Sequence, residues 1–273
     1  MTRTPAPDRY FHSAGVTLRY VDAGSGEAVV LLHSFTGNLD RDFVRGGLFA
    51  ALAGRYRAIA FDLRGHGRSG KPHHPRQYGR EMALDVVRLL DHMQLDRAHV
   101  VGYSLGAHIV AQLLSLHPER FITATLGGAP GRRHWSDDDE RRASIEAHEM
   151  EQGVLRTQIL RLWPPGIPPP GDEEIRIRTA TYLEGNDAAA LAAVRRANRD
   201  QVVGDDALSN AAVPILGLVG SRDAYRDAFI ALAKSLPQLE LIEIDGATHD
   251  DALPRAEFRE ALLAFLDAHS GRR

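Results

Sequence analysis

The sequence has no cysteine, which excludes disulfides, thiolate nucleophiles and cysteine-ligated metals together. Long apolar runs are missing too: none approaches the ~20 residues of a membrane-spanning helix. The N-terminal stretch Met1–Asp8 lacks the apolar segment of a signal peptide. The expected location is therefore the cytoplasm, with no membrane as partner. Nor does charge of one sign prevail. Lys and Arg number 33 against 36 Asp and Glu, a net charge of −3, so there is no electrostatic case for nucleic acid or an anionic bilayer as partner. Internal repeats are absent, and the prolines near 164–170 are the one compositional bias.

What is present is an ordinary globular composition, 44% hydrophobic and 25% charged over 273 residues. That length holds one large domain, or a core with a smaller insertion. Loose alternation over Tyr10–Val21 suggests a hairpin. Continuously apolar runs then read as buried strands at Ala28–His33, Tyr56–Phe61, Ala98–Tyr103 and Phe121–Leu126. Helical spacing falls between them, over Phe43–Leu52, Met82–Met93 and Ala107–Leu116. This alternation argues for a parallel α/β sheet. The rhythm changes over Gly131 to about Asp206, which lacks a strand pattern and carries the stiff stretch Leu162–Gly171. We read it as two or more helices split by a proline-rich bend. Strand and helix resume with Val213–Val219, Asp227–Leu236, Leu239–Ile244 and Phe258–Ala268. Residues 1–130 and 207–273 are thus the expected core domain, and 131–206 a helical insertion.

Gly102-Tyr-Ser104-Leu-Gly106 joins an apolar strand directly to a helix, the setting in which G-x-S-x-G exposes a nucleophilic serine. A hydroxyl needs a base, and the base an orienting group. Asp223 follows the Val219 strand, and His249 follows the Ile244 strand, each in a loop. Asp223 has a structural alternative as a helix N-cap, with Asp227 as the competing acid. Asp250 and Asp251 come after the base and break the order. Six of the 13 histidines follow Ser104: His108 belongs to a packed helix face, His117 and His269 to helix ends or interiors, and His134 and His148 to the insertion. His249 alone occupies a loop after a late strand. Attack on a carbonyl also requires N–H donors for the oxyanion, one of them Leu105, immediately after the nucleophile.

With His33, Asp62-Leu-Arg-Gly-His-Gly-Arg-Ser69, Gly-Tyr-Ser-Leu-Gly, Gly-Ser-Arg-Asp223 and a final His249 in that order, the chain resembles the α/β-hydrolases over nearly its whole length. The resemblance implies a mostly parallel central sheet of about eight strands with helices on both faces. It implies a Ser104–His249–Asp223 triad, a second oxyanion donor at the Phe35 N–H, and a helical cap formed by 131–206. Relatives usually carry glycine where this chain has Ser34; the serine either alters the geometry of the oxyanion loop, because it lacks the backbone freedom of glycine, or adds a polar contact to substrate. The Arg64–Gly67 loop would be structural, His66 included. A serine at the elbow also sets the chain apart from members that dehalogenate or open epoxides through an aspartate.

The expected activity is cleavage of a small-molecule carboxylic ester through an acyl-enzyme, without metal or organic cofactor. The alternatives are a lactonase or a C–C bond hydrolase with the same triad, or a ligand receptor without turnover. Tyr103, Trp135 and Trp163 are candidates for lining the acyl pocket together with Ser34. Arg132-Arg133 would either clamp a substrate carboxylate or form a solvated basic face.

Overall fold

The computed structural model describes residues 6–209 and 211–271. Met1–Pro5, part of the stretch read for a targeting signal, lies outside them. Two strands buried along their whole length are neighbours at the middle of one sheet. β3 (Ala28–Leu32) and β5 (Ala98–Tyr103) are buried at every position, as strands covered on both faces must be. Around them the sheet runs β1 (Arg9–Ser13), β2 (Val16–Ala23), β4 (Arg57–Phe61), β3, β5, β6 (Phe121–Gly127), β7 (Ile215–Gly220), β8 (Leu239–Ile244). β1 and β2 form the antiparallel hairpin, and β2 is antiparallel to β4. Every other neighbouring pair is parallel. The result is an open, eight-stranded, mostly parallel α/β sheet.

The helices are α1 (Leu48–Ala53), α2 (Arg80–His92), α3 (Leu105–Leu116), α4 (Asp137–Glu151), α5 (Arg156–Arg161), α6 (Asp172–Leu183), α7 (Ala188–Arg196), α8 (Asp205–Ser209), α9 (Arg226–Ser235) and α10 (Ala256–His269). Successive strand residues face opposite sides, and two cores result. Val30, Leu32, Ile59 and Val100 pack with α2, α3 and α9 on one face. Val29, Leu31, Ala58 and Val101 pack with α1 and α10 on the other. α3 is buried from Leu105 to Leu114, which is why its sequence is apolar on most sides.

One helix differs from its sequence reading. Phe43–Leu52 is interrupted: a π-helical turn covers Asp40–Val44, and α1 begins only at Leu48. Gly46-Gly47 causes the break, with Gly47 at φ 77° in the left-handed region that glycine enters without strain.

The stretch between β6 and β7 holds α4–α8. Its proline-rich bend separates α5 from α6, and α4 packs along α7. The two ends of the stretch are tied by the Val203 N–H, which donates to the Arg132 carbonyl at 2.8 Å. β3, β5, β7 and β8 all run parallel, so the loops that follow them open on the same rim of the sheet, where α/β proteins place their ligands.

Candidate active site

Ser104 sits between β5 and α3 with φ 53° and ψ −106°, a conformation that costs a non-glycine residue of order 1–3 kcal/mol. Its neighbours hold it there. A Cβ on Gly102 would lie 2.2 Å from the Gly106 carbonyl group, and one on Gly106 would lie 2.1 Å from the Leu32 oxygen. The strand, the helix start and β3 therefore approach more closely than any side chain permits. The Ser104 N–H donates to Gly127 at 2.7 Å, and the Gly106 N–H donates to His33 at 3.2 Å. The side chain is left projecting from the rim.

His249 meets it there. Its Nε2 lies 2.9 Å from the Ser104 Oγ, and its Nδ1 lies 3.0 and 3.2 Å from the two Asp223 oxygens. An ionised carboxylate only accepts, so Nδ1 carries the proton and Nε2 is free to accept from the hydroxyl. Asp223 and His249 are both buried, and the Tyr103 and Tyr225 rings lie 5.8 and 5.7 Å from the imidazole. The Tyr103 hydroxyl donates to the His249 carbonyl at 2.6 Å; burial, then the nearby Asp223 charge, pushes its pKa well above the usual phenol value. Asp223 also accepts from the Tyr225 N–H at 2.8 Å, so it caps the turn before α9 while holding the imidazole. Asp227 is 96% exposed on α9 and pairs with Arg226. Asp250 accepts from Tyr182 and Arg178, and Asp251 from Thr248 and Arg255. Gly220, the first residue of the Gly-Ser-Arg-Asp223 motif, brings the Asp223 and His249 loops together: a Cβ there would lie 2.2 Å from the Ala247 oxygen.

The loop after β3 borders the same place, with Phe35 beside Ser104 and Leu105. His33 Nδ1 donates to the Ser34 carbonyl at 2.7 Å, while its Nε2 accepts from the Leu63 N–H at 3.0 Å. Burial holds His33 below its ordinary pKa, consistent with the neutral tautomer that this pattern needs. In a planar trans peptide the N–H points opposite the carbonyl, so anchoring the Ser34 carbonyl turns the Phe35 N–H away from His33. Among the described residues, no backbone carbonyl accepts from the N–H of Phe35 or Leu105. Ser34 itself is held by Asp42, which accepts from its N–H at 2.7 Å and from its hydroxyl. His66 Nε2 lies 2.6 Å from the Phe35 carbonyl; burial, with His33 beside it, takes His66 down to about 4.

A cavity of about 420 Å³ opens over Ser104 and His249. Ser34, Phe35 and Tyr103 line it from the core, and Gln158, Leu162, Trp163 and Tyr182 from the helical insertion. Trp135 lines a second cavity, of about 330 Å³, with Arg132, Arg133, Arg161, Arg195, His108 and Tyr225. It differs from the expectation that Trp135 faces the serine, because its indole N–H is drawn to Glu140 at 2.6 Å on α4. Asp42, Gln158, Arg161, Arg195 and Tyr225 had no motif to mark them; the packing of α5 and α7 brings Gln158, Arg161 and Arg195 to the rim, while Asp42 and Tyr225 lie in the segments that follow β3 and β7.

The alpha/beta hydrolase fold family matches the chain over residues 27–152. A protein provisionally named carbamate hydrolase, from Azorhizobium caulinodans, is 29% identical over 94% of this chain and 97% of its own length. A structure from work on carboxylesterases of the thaumarchaeon Nitrososphaera gargenis superposes with a TM-score of 0.76 at 22% identity, covering 96% of this chain and 98% of that one. The enol-lactonase from Burkholderia xenovorans LB400 superposes with a TM-score of 0.75 at 23% identity, covering 95% and 100%. The sheet order, the strained turn after β5 and these likenesses agree: the chain has the alpha/beta hydrolase fold, and the proteins it is similar to support an enzyme of the hydrolase type.

Proposed function

We propose that this enzyme cleaves a small-molecule carboxylic ester through an acyl-enzyme on Ser104. The observation that carries the reading is the hydrogen-bonded run Ser104 Oγ to His249 Nε2 at 2.9 Å and His249 Nδ1 to Asp223 at 3.0 Å. Ser104 attacks the carbonyl as His249 takes its proton, and Asp223 holds the imidazole and stabilises its charge. The Phe35 and Leu105 N–H groups receive the oxyanion. His249 then protonates the departing alcohol and activates the water that frees the acid.

The insertion 131–206 serves as a cap in this reading, because its residues roof the cavity over Ser104. Lactone opening needs the same groups and differs only in that the alcohol stays attached. The enol-lactonase likeness favours it as the second reading.

A fluorophosphonate that labels active serines tests the proposal, together with a panel of short and long p-nitrophenyl esters and lactones. Ser104 takes the label, Ser104→Ala does not, and turnover follows the label. Absence of both labelling and turnover would reduce the chain to a binder.

A further inference from the structure

A narrow space of about 30 Å³ is lined by Phe35, Ser104 and Leu105 and by Arg132, Arg161 and Arg195. The same three arginines line the adjoining cavity of about 330 Å³. One buried carboxylate serves two of them: Glu146 lies 2.8 Å from Arg161 Nε and 2.8 Å from Arg195 Nε. Arg161 also donates to the Tyr225 hydroxyl at 2.9 Å, and Arg195 to Gln158 at 2.7 Å.

Arg132 has no such partner. Among the described residues no carboxylate lies within ion-pair distance of it, and its buried Nε makes no hydrogen bond. Nδ1 of His108, whose side chain is 6% exposed, is unpartnered as well. Asp139, the other acid at this cavity, is taken up by Ser136 and Arg142. Three arginines against one shared carboxylate leave two positive charges without a counterion beside the serine. Buried charge is costly unless paired, and the cluster shows the strain. Burial holds Arg132 below its ordinary pKa and brings Arg195 to about 10. Burial, then Arg132 and its neighbours, takes His108 well below its ordinary value. A neutral imidazole in that field adds no third charge.

The placement of His249 assigns the two sides of Ser104. His249 lines the 420 Å³ cavity and is not part of the wall of the narrow space. The departing alcohol must lie beside Nε2 to be protonated, so it occupies the 420 Å³ cavity. The acyl chain is then directed past Leu105 towards the arginines. We propose that the acyl group of the substrate ends in its own carboxylate, bound by Arg132, Arg161 and Arg195 a short chain away from the scissile carbonyl. This rests on the serine-hydrolase reading above. Ser104 Oγ bonds to the acyl carbon, the C–O bond to the alcohol breaks, and the serine proton leaves on the alcohol through His249. Water then hydrolyses the acyl-enzyme and releases a dicarboxylate.

The test compares monoethyl glutarate with ethyl hexanoate, followed by proton release, in the wild type and in Arg132→Gln, which removes no ion pair. The wild type favours the half-ester in kcat/KM by about tenfold or more, the scale of a charge-assisted contact, and Arg132→Gln collapses that ratio several-fold. In the wild type, glutarate also slows fluorophosphonate labelling of Ser104, a readout that needs neither turnover nor a folded variant. A wild type that takes ethyl hexanoate equally well, or an Arg132→Gln protein that keeps the preference, overturns the inference and leaves the hydrolase reading standing. Protection by phosphate or sulfate equal to that by glutarate overturns the carboxylate assignment in favour of a general anion site. A Ser104 that neither labels nor turns over either ester removes both readings.

Discussion

A Cβ on Gly106 would lie 2.1 Å from the carbonyl oxygen of Leu32. This contact between α3 and β3 holds Ser104 at its positive φ, because the helix cannot start where it does unless residue 106 has no side chain. Gly106→Ala must therefore push the helix off the sheet. We expect a loss of about 3 kcal/mol, the upper part of the range for overpacking, and slow labelling of the displaced serine. Gly171→Ala, where the added Cβ meets nothing within 4 Å, supplies the control and leaves thermal unfolding nearly unchanged.

Asp223 and Asp227 separate cleanly. Asp223 is buried against the His249 imidazole, whereas Asp227 stands in solvent four residues on. Asp223→Asn puts an amide donor in place of one of the two acceptor oxygens that fix the Nδ1–H tautomer, and kcat falls by roughly 10⁴, as for other triads altered in this way. Asp227→Asn leaves kcat within about twofold, as expected of a surface substitution. Steady-state kinetics on one activated ester decide between them, and a loss confined to the Asp227 variant would reverse the assignment.

The meeting of Ser104, Asp223 and His249 was legible in the sequence because each side chain lies in the turn or loop that follows a parallel strand. Parallel pairing carries three such loops to one rim whatever the intervening chain does. The Gly46-Gly47 break was less legible, since the helical spacing of Phe43–Leu52 continues across it while the backbone does not. The arginine cluster was not legible. Glu146, Arg161 and Arg195 come from three different helices, and only the packing of α4 against α7 and α5 brings them within 2.8 Å. Arg132 was visible as half of a basic pair, but its want of a carboxylate is a property of the folded surroundings.

Glu146 makes the insertion sensitive to acid. Burial opposes its ionisation, yet Arg195 and Arg161 hold its pKa below the ordinary 4.5. A carboxyl depressed on folding stabilises the fold above its unfolded pKa, and that contribution is lost as pH falls through the folded value. Glu146→Gln therefore destabilises the protein at pH 7 by about 3–5 kcal/mol, the effect of stranding a buried partner charge. The deficit narrows once the pH drops below 4.5, where the wild-type carboxyl is itself taking up a proton. Urea unfolding of both proteins across that range gives the sign directly. A deficit that stays constant down to pH 3 would show that Glu146 acts by shape and not by charge.

Asp42 presents the opposite sign. It is partly buried at the wall of the 420 Å³ cavity, and burial raises its pKa despite the hydrogen bonds it accepts from Ser34. A carboxyl raised on folding favours the fold below its unfolded pKa, and this advantage is lost as pH rises through the folded value. Ionised Asp42 thus strains the fold at neutral pH while it holds Ser34, the residue whose carbonyl direction fixes the Phe35 N–H. Asn at this position keeps the shape, loses the charge, and retains one oxygen to accept where the carboxylate had two. Relative to wild type, Asp42→Asn should therefore gain in melting temperature as pH rises from 4 to 7. Its kcat should fall by about tenfold, less than the ~10²–10³ of a lost oxyanion donor, because the Phe35 N–H is loosened and not removed. KM should change little, since the loss falls on the transition state. A variant that keeps wild-type kcat would free Ser34 and Asp42 from any part in positioning the oxyanion loop, and a stability difference independent of pH would place the Asp42 charge in solvent.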